Sequence, residues 1–320
     1  MILVCGSLTD IVTELFCARL EKLKYDYRLI DLGVYPDRYQ VKWTCEQEIR
    51  TGSIAAQGWH VELRDVTGVF ARYVGERTRK CTTLSGDLSD AAAFELQAGL
   101  MSLWEHLPCP VANRIGGALS NHSKPYQLLI IRQTALRIPE TLLTSDPDAA
   151  RAFYEEHAGR VIFKSVSGIR SVVRCMERSD IDRLSHLRNG PAQFQAFVPG
   201  DNVRVHTVGE EVFATRVHSD AVDYRYAHQQ GASVEMEPIE LPPFVGNACL
   251  ELADAMDLTV AGIDLKVTPE GEWYCFEVNP SPGFAYYEQH TGQPISAALA
   301  ETLRRGPVHA QTWERSLPMT

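Results

Sequence analysis

Nine residues near the end of the chain, "CFEVNPSPG" at 275–283, restrict its fold more than any other stretch. The run is apolar enough for a buried strand, yet it carries Glu277 and Asn279. Side chains two apart on a strand share a face, so both point the same way. A carboxylate is seldom buried unless it is paired or bound to a metal. Upstream, "GIDLKV" carries Asp264, and "TPEGEW" between the two runs offers Pro and Gly for a turn. The whole reads as an antiparallel hairpin with two registers open to it. With Glu270 and Gly271 as a two-residue loop, Asp264 stands across from Glu277, with Cβ atoms about 4.5–5.5 Å apart. With a type I turn and a bulge at Gly271, the register moves by one and the two acids fall on opposite faces. In the first register, close carboxylates call for a divalent cation, and Asn279 adds a neutral oxygen. That all-oxygen set suits magnesium beside phosphate. The plainer reading is a pair of exposed carboxylates on a solvated sheet face.

Lysine usage gives the next clue. The seven lysines are Lys22, Lys24, Lys42, Lys80, Lys124, Lys164 and Lys266. Lys124 and Lys164 stand alone between Lys80 and Lys266, in a region that uses Arg freely. Lys presents a compact ammonium to one phosphate oxygen, which Arg does not. Lys164 ends the apolar strand "RVIFK", and the small-residue loop "SVSG" follows it, a suitable setting for an anion. "QFQAFVPGDNVRV" reads as a strand ending at Pro199–Gly200. Its edge offers main-chain groups to a purine, with Phe197 and Val198 as apolar walls. Arg204 and His206 alternate on the next strand, Arg216 and His218 on the one after. Two arginines on adjoining strands suit a clamp on phosphate or carboxylate, while the plainer reading is a pair of solvated strand faces.

The opening "MILVCG", "SLTDIVTELFCARLEKLKY" and "DYRLIDLG" predict strand, helix and strand, with Ser7 or Thr9 as the helix N-cap. Such a β-α-β start is typical of a small Rossmann-like unit, but no G-x-G-x-x-G follows the first strand, so a dinucleotide is not indicated. Helical periodicity from about Ser85 to Leu107 breaks at Pro108–Pro110, a plausible boundary. The expected domains are 1–108, 109–190 and 191–308, with a tail at 309–320. A formal net charge of −10 argues against a protein that wraps nucleic acid. No membrane span is expected, since no 18-residue apolar run occurs. The start lacks a basic n-region and cleavage pattern, so a cytoplasmic location is expected. The eight cysteines are scattered with no C-x-x-C pair, which favours reduced thiols over zinc or disulfides.

Together these segments resemble the ATP-grasp ligases, and within them the RimK-like branch, over roughly residues 110–300. "SKPYQLLIIRQTALRIPETLLTSD" resembles the segment with the first nucleotide-binding lysine, and "VIFKSVSG" the strand with the second. "QAFVPGDNVRVHTVGEEVFATRV" resembles the hinge and the strands after it. "AGIDLKV" with "WYCFEVNPSPG" resembles the paired metal-binding strands. The first 110 residues are similar to the N-terminal domain of peptide-maturing ATP-grasp enzymes, including the microviridin type, on "RDVTGVFARYVG" and "PVANRIGGALSNHSKPYQL". The resemblance implies an α/β chain: a two-lobed α+β ATP-grasp fold preceded by a small Rossmann-like pre-ATP-grasp domain. It implies ATP, with one or two magnesium ions (manganese as the alternative) on Asp264, Glu277 and Asn279. Lys124 and Lys164 would contact the α- and β-phosphates, and Arg204, with Arg216 as second candidate, the transferring phosphoryl group. Adenine would lie against Phe197 and Val198 with Gln195 in polar contact, and Asp201 would reach the ribose. One departure is the loop "SVSGIRSVVR", which has Gly168 as its only glycine. Ser165, Ser167, Ser171 and Arg170 stand where the family often has more glycines. His206 and His218 would be structural or substrate-facing, and Ser281 and Gly283 would lie near the acyl group.

The implied activity is an ATP-dependent carboxylate–amine ligase that forms an acyl phosphate and then an amide on a peptide or amino acid, releasing ADP and phosphate. One alternative is a peptide maturase making side-chain ester or amide macrocycles. Another is a nucleotide-binding regulatory module without turnover, against which the complete acidic set speaks. The expected partners are ATP and a substrate with a carboxylate and an amine or hydroxyl, with no nucleic acid and no membrane; a homo-oligomer is compatible with the sequence.

Overall fold

The computed structural model describes residues 1–32, 38–44, 51–72, 87–166, 173–218 and 234–306. Ser167, Gly168, Arg170 and Ser171, named above for the phosphate loop, lie outside the described residues. The chain divides into two compact units, one of Met1–Arg114 with the segment from Ser296 onward, the other of Ile115–Ile295.

In the first unit, β1 (Ile2–Gly6), α1 (Ile11–Leu23) and β2 (Tyr27–Asp31) make the expected parallel β-α-β start. The N-cap of α1 is Asp10, one residue past Thr9 and three past Ser7. Its carboxylate accepts from the Thr13 N–H at 2.9 Å, while Ser7 and Thr9 bond each other. An antiparallel three-stranded sheet follows, β3 (Tyr39–Trp43), β4 (Gly52–Ala56) and β5 (Trp59–Glu62). After it come β6 (Gly68–Ala71), α2 (Asp87–His106) and β7 (Val111–Ala112). The four-stranded parallel sheet has the order β2-β1-β6-β7. Leu3, Cys5, Ile30, Val69, Leu103 and Trp104 are among its buried core.

The second unit begins with α3 (Ile115–Ala118) and α4 (Lys124–Ile131). Next come β8 (Thr141–Thr144), α5 (Pro147–Glu156), β9 (Val161–Ser165), β10 (Arg174–Cys175), α6 (Arg178–Ile181) and β11 (Ala192–Ala196). Asp146 caps α5, and Pro147 occupies its first turn, where a missing N–H costs nothing. The strands form an antiparallel sheet of order β10-β9-β11-β8. Val161, Phe163 and Phe194 on one of its faces pack with Ala150 and Phe153 of α5.

A five-stranded antiparallel sheet completes the unit. Its strands are β12 (Asp201–Val208), β13 (Glu211–His218), β14 (Glu235–Ile239), β15 (Val260–Val267) and β16 (Trp273–Asn279), with α7 (Pro243–Ala255) between β14 and β15. Helices α8 (Phe284–Thr291) and α9 (Ile295–Arg305) close the chain, α9 counting almost wholly with the first unit. Strand order is β14-β13-β12-β15-β16. Val203, Val205, Ile263, Leu265, Cys275 and Val278 point to one face, where Val245, Ala248, Cys249 and Leu252 of α7 and Leu128 of α4 meet them. That face is the core. The opposite face carries the polar residues of interest. The six cysteines among the described residues are free thiols, all buried except Cys175, and no described helix is long and apolar enough to cross a membrane.

Candidate active site

The hairpin of β15 and β16 uses parts of both registers that its sequence allows. Its turn is the longer form. The Gly271 N–H donates to the Thr268 carbonyl at 2.9 Å, Gly271 takes φ +84°, and Val267 pairs with Trp273. A positive φ at that position favours glycine. Continued up the strands, this pairing would put Phe276 across from Asp264. A bulge at Phe276 intervenes: Leu265 pairs with Cys275, but Asp264 pairs with Glu277 and Gly262 with Asn279. A bulge also exchanges the faces of all residues beyond it. Trp273, Cys275 and Val278 are buried in the core, while Glu277 and Asn279 come out half-buried on the opposite face with Asp264. Without the bulge, Glu277 would follow Cys275 into the core.

Each acid is met by a cation. Lys124 Nζ lies 3.7 Å from Glu277 Oε2, and Arg204 Nη1 donates to Asp264 Oδ1 at 2.7 Å. Lys124 opens α4, whose N-cap Ser123 accepts from the Tyr126 N–H. Arg204 lies across from Asp264 in the β12–β15 register and also over the Tyr287 ring, 5.7 Å from its centroid. Asn279 Oδ1 accepts from the Ser281 N–H at 2.9 Å, which fixes the amide oxygen at the strand end. Asp264, Glu277 and Asn279 therefore present an all-oxygen donor set on one face, partly open to solvent and lined by cations. This fits a hard divalent ion shared with phosphate.

The sheet β10-β9-β11-β8 carries a second polar group. Lys164 pairs with Gln193, and Gln195 pairs with Ile162 and with Thr141, so these side chains share the face away from α5. Lys164 and both glutamines are buried. The Gln195 amide donates to Thr141 Oγ1 at 2.9 Å, leaving its own oxygen unpaired, and both amide atoms of Gln193 lack hydrogen-bond partners. Unpaired buried polar atoms are costly and mark places for a polar ligand.

At the hinge, the Phe197 ring is met by the Arg160 guanidinium, 5.7 Å from its centroid, and by Lys266 Nζ, 5.1 Å from it. Lys266 Nζ also donates to the Val198 carbonyl at 3.1 Å, and burial pulls this ammonium below the usual lysine range. The N–H groups of Ala196 and Phe197 donate to the carbonyls of Glu140 and Arg160. The strand edge expected to serve a purine is thus largely in use within the protein. A cavity of about 260 Å³ beside it is lined by Gly159, Arg160, Val161, Cys175 and Phe197.

Arg216 and Asp201 lie in a different setting from the one expected. Arg216 pairs with Val203 and Glu237 on the core-side face of the sheet, opposite to Arg204. Its guanidinium reaches Glu237 at 3.1 Å and Asp201 at 3.6 Å. Arg216 and Asp201 thus form a rim cluster with Glu237 and His218, and Arg216 does not join Arg204 in a clamp. His206 shares the face of Arg204 but is wholly buried, with its ring 4.8 Å from that of Tyr287. Burial, with the Arg204 charge beside it, holds its pKa well below 6.5. Sequence reasoning overlooked Gln193, Lys266 and Gln127. Gln127 lies three positions after Lys124, one face of a helix. Its amide bonds the main chain of Val278 twice, at 2.7 and 3.1 Å.

A RimK-like ATP-grasp domain model matches residues 120–303. Among curated relatives, a "Probable alpha-L-glutamate ligase" of Vibrio cholerae serotype O1 is 23% identical over 215 residues, 64% of this chain and 70% of the relative. Another of Picosynechococcus sp. is 26% identical over 158 residues, 49% of this chain and half of that protein's length. Among solved structures, the macrocyclase MdnC of Microcystis aeruginosa, bound with precursor peptide MdnA, aligns with TM-score 0.78 and 24% identity over 95% of this chain and 99% of that one. The ATP-grasp ligase PsnB complexed with a minimal precursor aligns with TM-score 0.78 and 26% identity over 94% of this chain and 97% of that one.

Proposed function

Because this chain belongs to the RimK-like ATP-grasp family, we propose that it is an ATP-dependent carboxylate–amine ligase acting on a peptide substrate. The observation that carries the reading is the pairing of Asp264 with Glu277 on the face of Asn279, flanked by Lys124 and Arg204. Magnesium held by Asp264, Glu277 and Asn279 would neutralise charge on the β- and γ-phosphates. Lys124 and Lys164 contribute fixed positive charge to the nucleotide's phosphates. Arg204 stabilises the transferring phosphoryl group and then the tetrahedral intermediate. A carboxylate alone is a poor acyl donor, since its leaving group would be oxide. One substrate carboxylate oxygen therefore bonds to the γ-phosphorus as the bond to ADP breaks. The amine next attacks the acyl carbon, phosphate departs with its oxygen, and the amine's proton is lost to solvent or phosphate. The half-buried hinge with Phe197 and Val198 supplies an apolar wall for the base, and the unpaired oxygen of Gln195 a polar contact.

A second reading is macrocycle formation within one peptide. It is favoured by the match to MdnC and PsnB, which covers 95% and 94% of this chain and so reaches beyond the span of the family model. Incubation with ATP, Mg²⁺ and candidate peptides, followed by ADP assay and mass spectrometry, tests both. Addition of an amino acid gains a residue, whereas cyclisation loses one water. Glu277→Gln is expected to abolish nearly all ADP release while leaving the fold intact. Unchanged release in saturating Mg²⁺ would refute the ligase site.

A further inference from the structure

Strand β16 is the last of its sheet, so one row of its main-chain groups points away from β15. Buried groups of this kind need partners. Before the Phe276 bulge the partner is main chain. The Arg137 N–H donates to the Trp273 carbonyl at 2.9 Å, and the Cys275 N–H donates to the Arg137 carbonyl at 2.8 Å. Beyond the bulge the outward-facing residue is Val278, and its partner is a side chain. Gln127 Nε2 donates to the Val278 carbonyl at 2.7 Å, and the Val278 N–H donates to Gln127 Oε1 at 3.1 Å. Both residues are buried. A carboxamide carries donor and acceptor in one plane, as a peptide unit does. Gln127 therefore stands in for one residue of a missing neighbouring strand. The residues on either side of Val278 are Glu277 and Asn279, and Lys124 on the same face of α4 meets Glu277.

We propose that Gln127 is a positioning residue for the divalent-cation site, holding the main chain of Val278 so that Glu277 and Asn279 keep a fixed separation. The inference rests on the ligase reading above, because it concerns the cation site of that reading. Without the carboxamide, the strand end loses both outward bonds exactly where two ligand oxygens leave it. Loss of a residue that orients metal ligands typically weakens metal affinity about 10–100-fold.

The test uses the full chain with Gln127→Met, which keeps the side-chain length and removes the paired bonds. Calorimetry would follow ADP binding without divalent ions and across a Mg²⁺ titration. Hydrogen exchange would follow the Val278 amide in the absence of metal. The expected result is unchanged metal-free ADP affinity, faster Val278 exchange, and a Mg²⁺ half-saturation raised about 10–100-fold. Faster exchange with an unchanged Mg²⁺ titration overturns the proposal, since Gln127 would then only seal the sheet edge. Wild-type ADP binding that ignores Mg²⁺ altogether would instead remove the ligase reading. Should Gln127→Met fail to fold, Gln127→Asn keeps the amide and shortens its reach by one methylene. A smaller rise in the same direction supports the proposal, and no rise overturns it.

Discussion

The tripeptide Arg-Val-His occurs on two adjacent strands, at Arg204–His206 on β12 and at Arg216–His218 on β13, and the two copies lie in opposite environments. The first arginine is buried and bonded to Asp264. The second is about one-third exposed and shared between Asp201 and Glu237 at the sheet rim. The first histidine is sealed under Tyr287, and the second is exposed beside Glu237. Composition is identical, so the difference comes from register alone. Arg204 faces Asp264 and Thr215, whereas Arg216 faces Val203. Neighbouring strands share faces residue by residue, and a shift of one exchanges site for rim.

Replacing each arginine by methionine separates the two environments most strongly. Arg204→Met is expected to cost turnover on the order of 10²–10³-fold, the loss of a donor at developing charge. Arg216→Met should leave turnover unchanged and move stability by at most about 1 kcal/mol, as exposed ion pairs do. Equal kinetic losses in the two variants would show that both arginines serve the reaction.

A finer probe is Gly262→Ala. A Cβ there would collide with the Arg204 guanidinium and lie 2.7 Å from Pro282 Cβ. Displacing Arg204 while keeping its charge should slow turnover by up to about 10²-fold, less than removing it. Wild-type kcat for this variant would mean that the Arg204–Asp264 geometry is dispensable.

The smallest effect separates the histidines by pH. His206 has a folded-state pKa below its ordinary 6.5 because burial opposes its charge, with Arg204 adding to that. The unfolded chain therefore takes up the proton first. This contribution to stability is complete above about pH 6.5 and declines below it, by about 1.4 kcal/mol per pH unit until the folded pKa is reached. Urea unfolding at several pH values should show that His206→Phe loses this component, while His218→Phe tracks the wild type. Parallel curves for the His206 variant and the wild type would contradict the burial argument.

The shared face of Glu277 and Asn279 could be read from sequence because they alternate within an apolar run, and alternation is local, whereas their pairing with Asp264 stayed open between two registers. The parallel opening unit was legible for the same reason. The bulge at Phe276 was not, since nothing in "WYCFEVN" distinguishes the residue left unpaired. The faces of Arg204 and Arg216 were not, since each strand's periodicity is the same whichever side its first residue takes. Gln127 escaped notice because its partner Val278 is 151 positions away. Gln195, expected in polar contact with adenine, gives one end of its amide to Thr141, an engagement across strands that spacing does not reveal, and its oxygen stays unpaired beside Gln193.

The hairpin holds two departures from regular pairing, a three-residue tip at Pro269–Gly271 and an extra residue at Phe276. The tip lies outside the paired residues, so shortening it to two leaves Thr268 against Glu272 and every pair above it in place. Deleting Phe276 brings Glu277 directly after Cys275, on the other face and still across from Asp264. The opposition of the acids therefore withstands the loss of either irregularity, and only a register that seats Phe276 against Asp264 would break it.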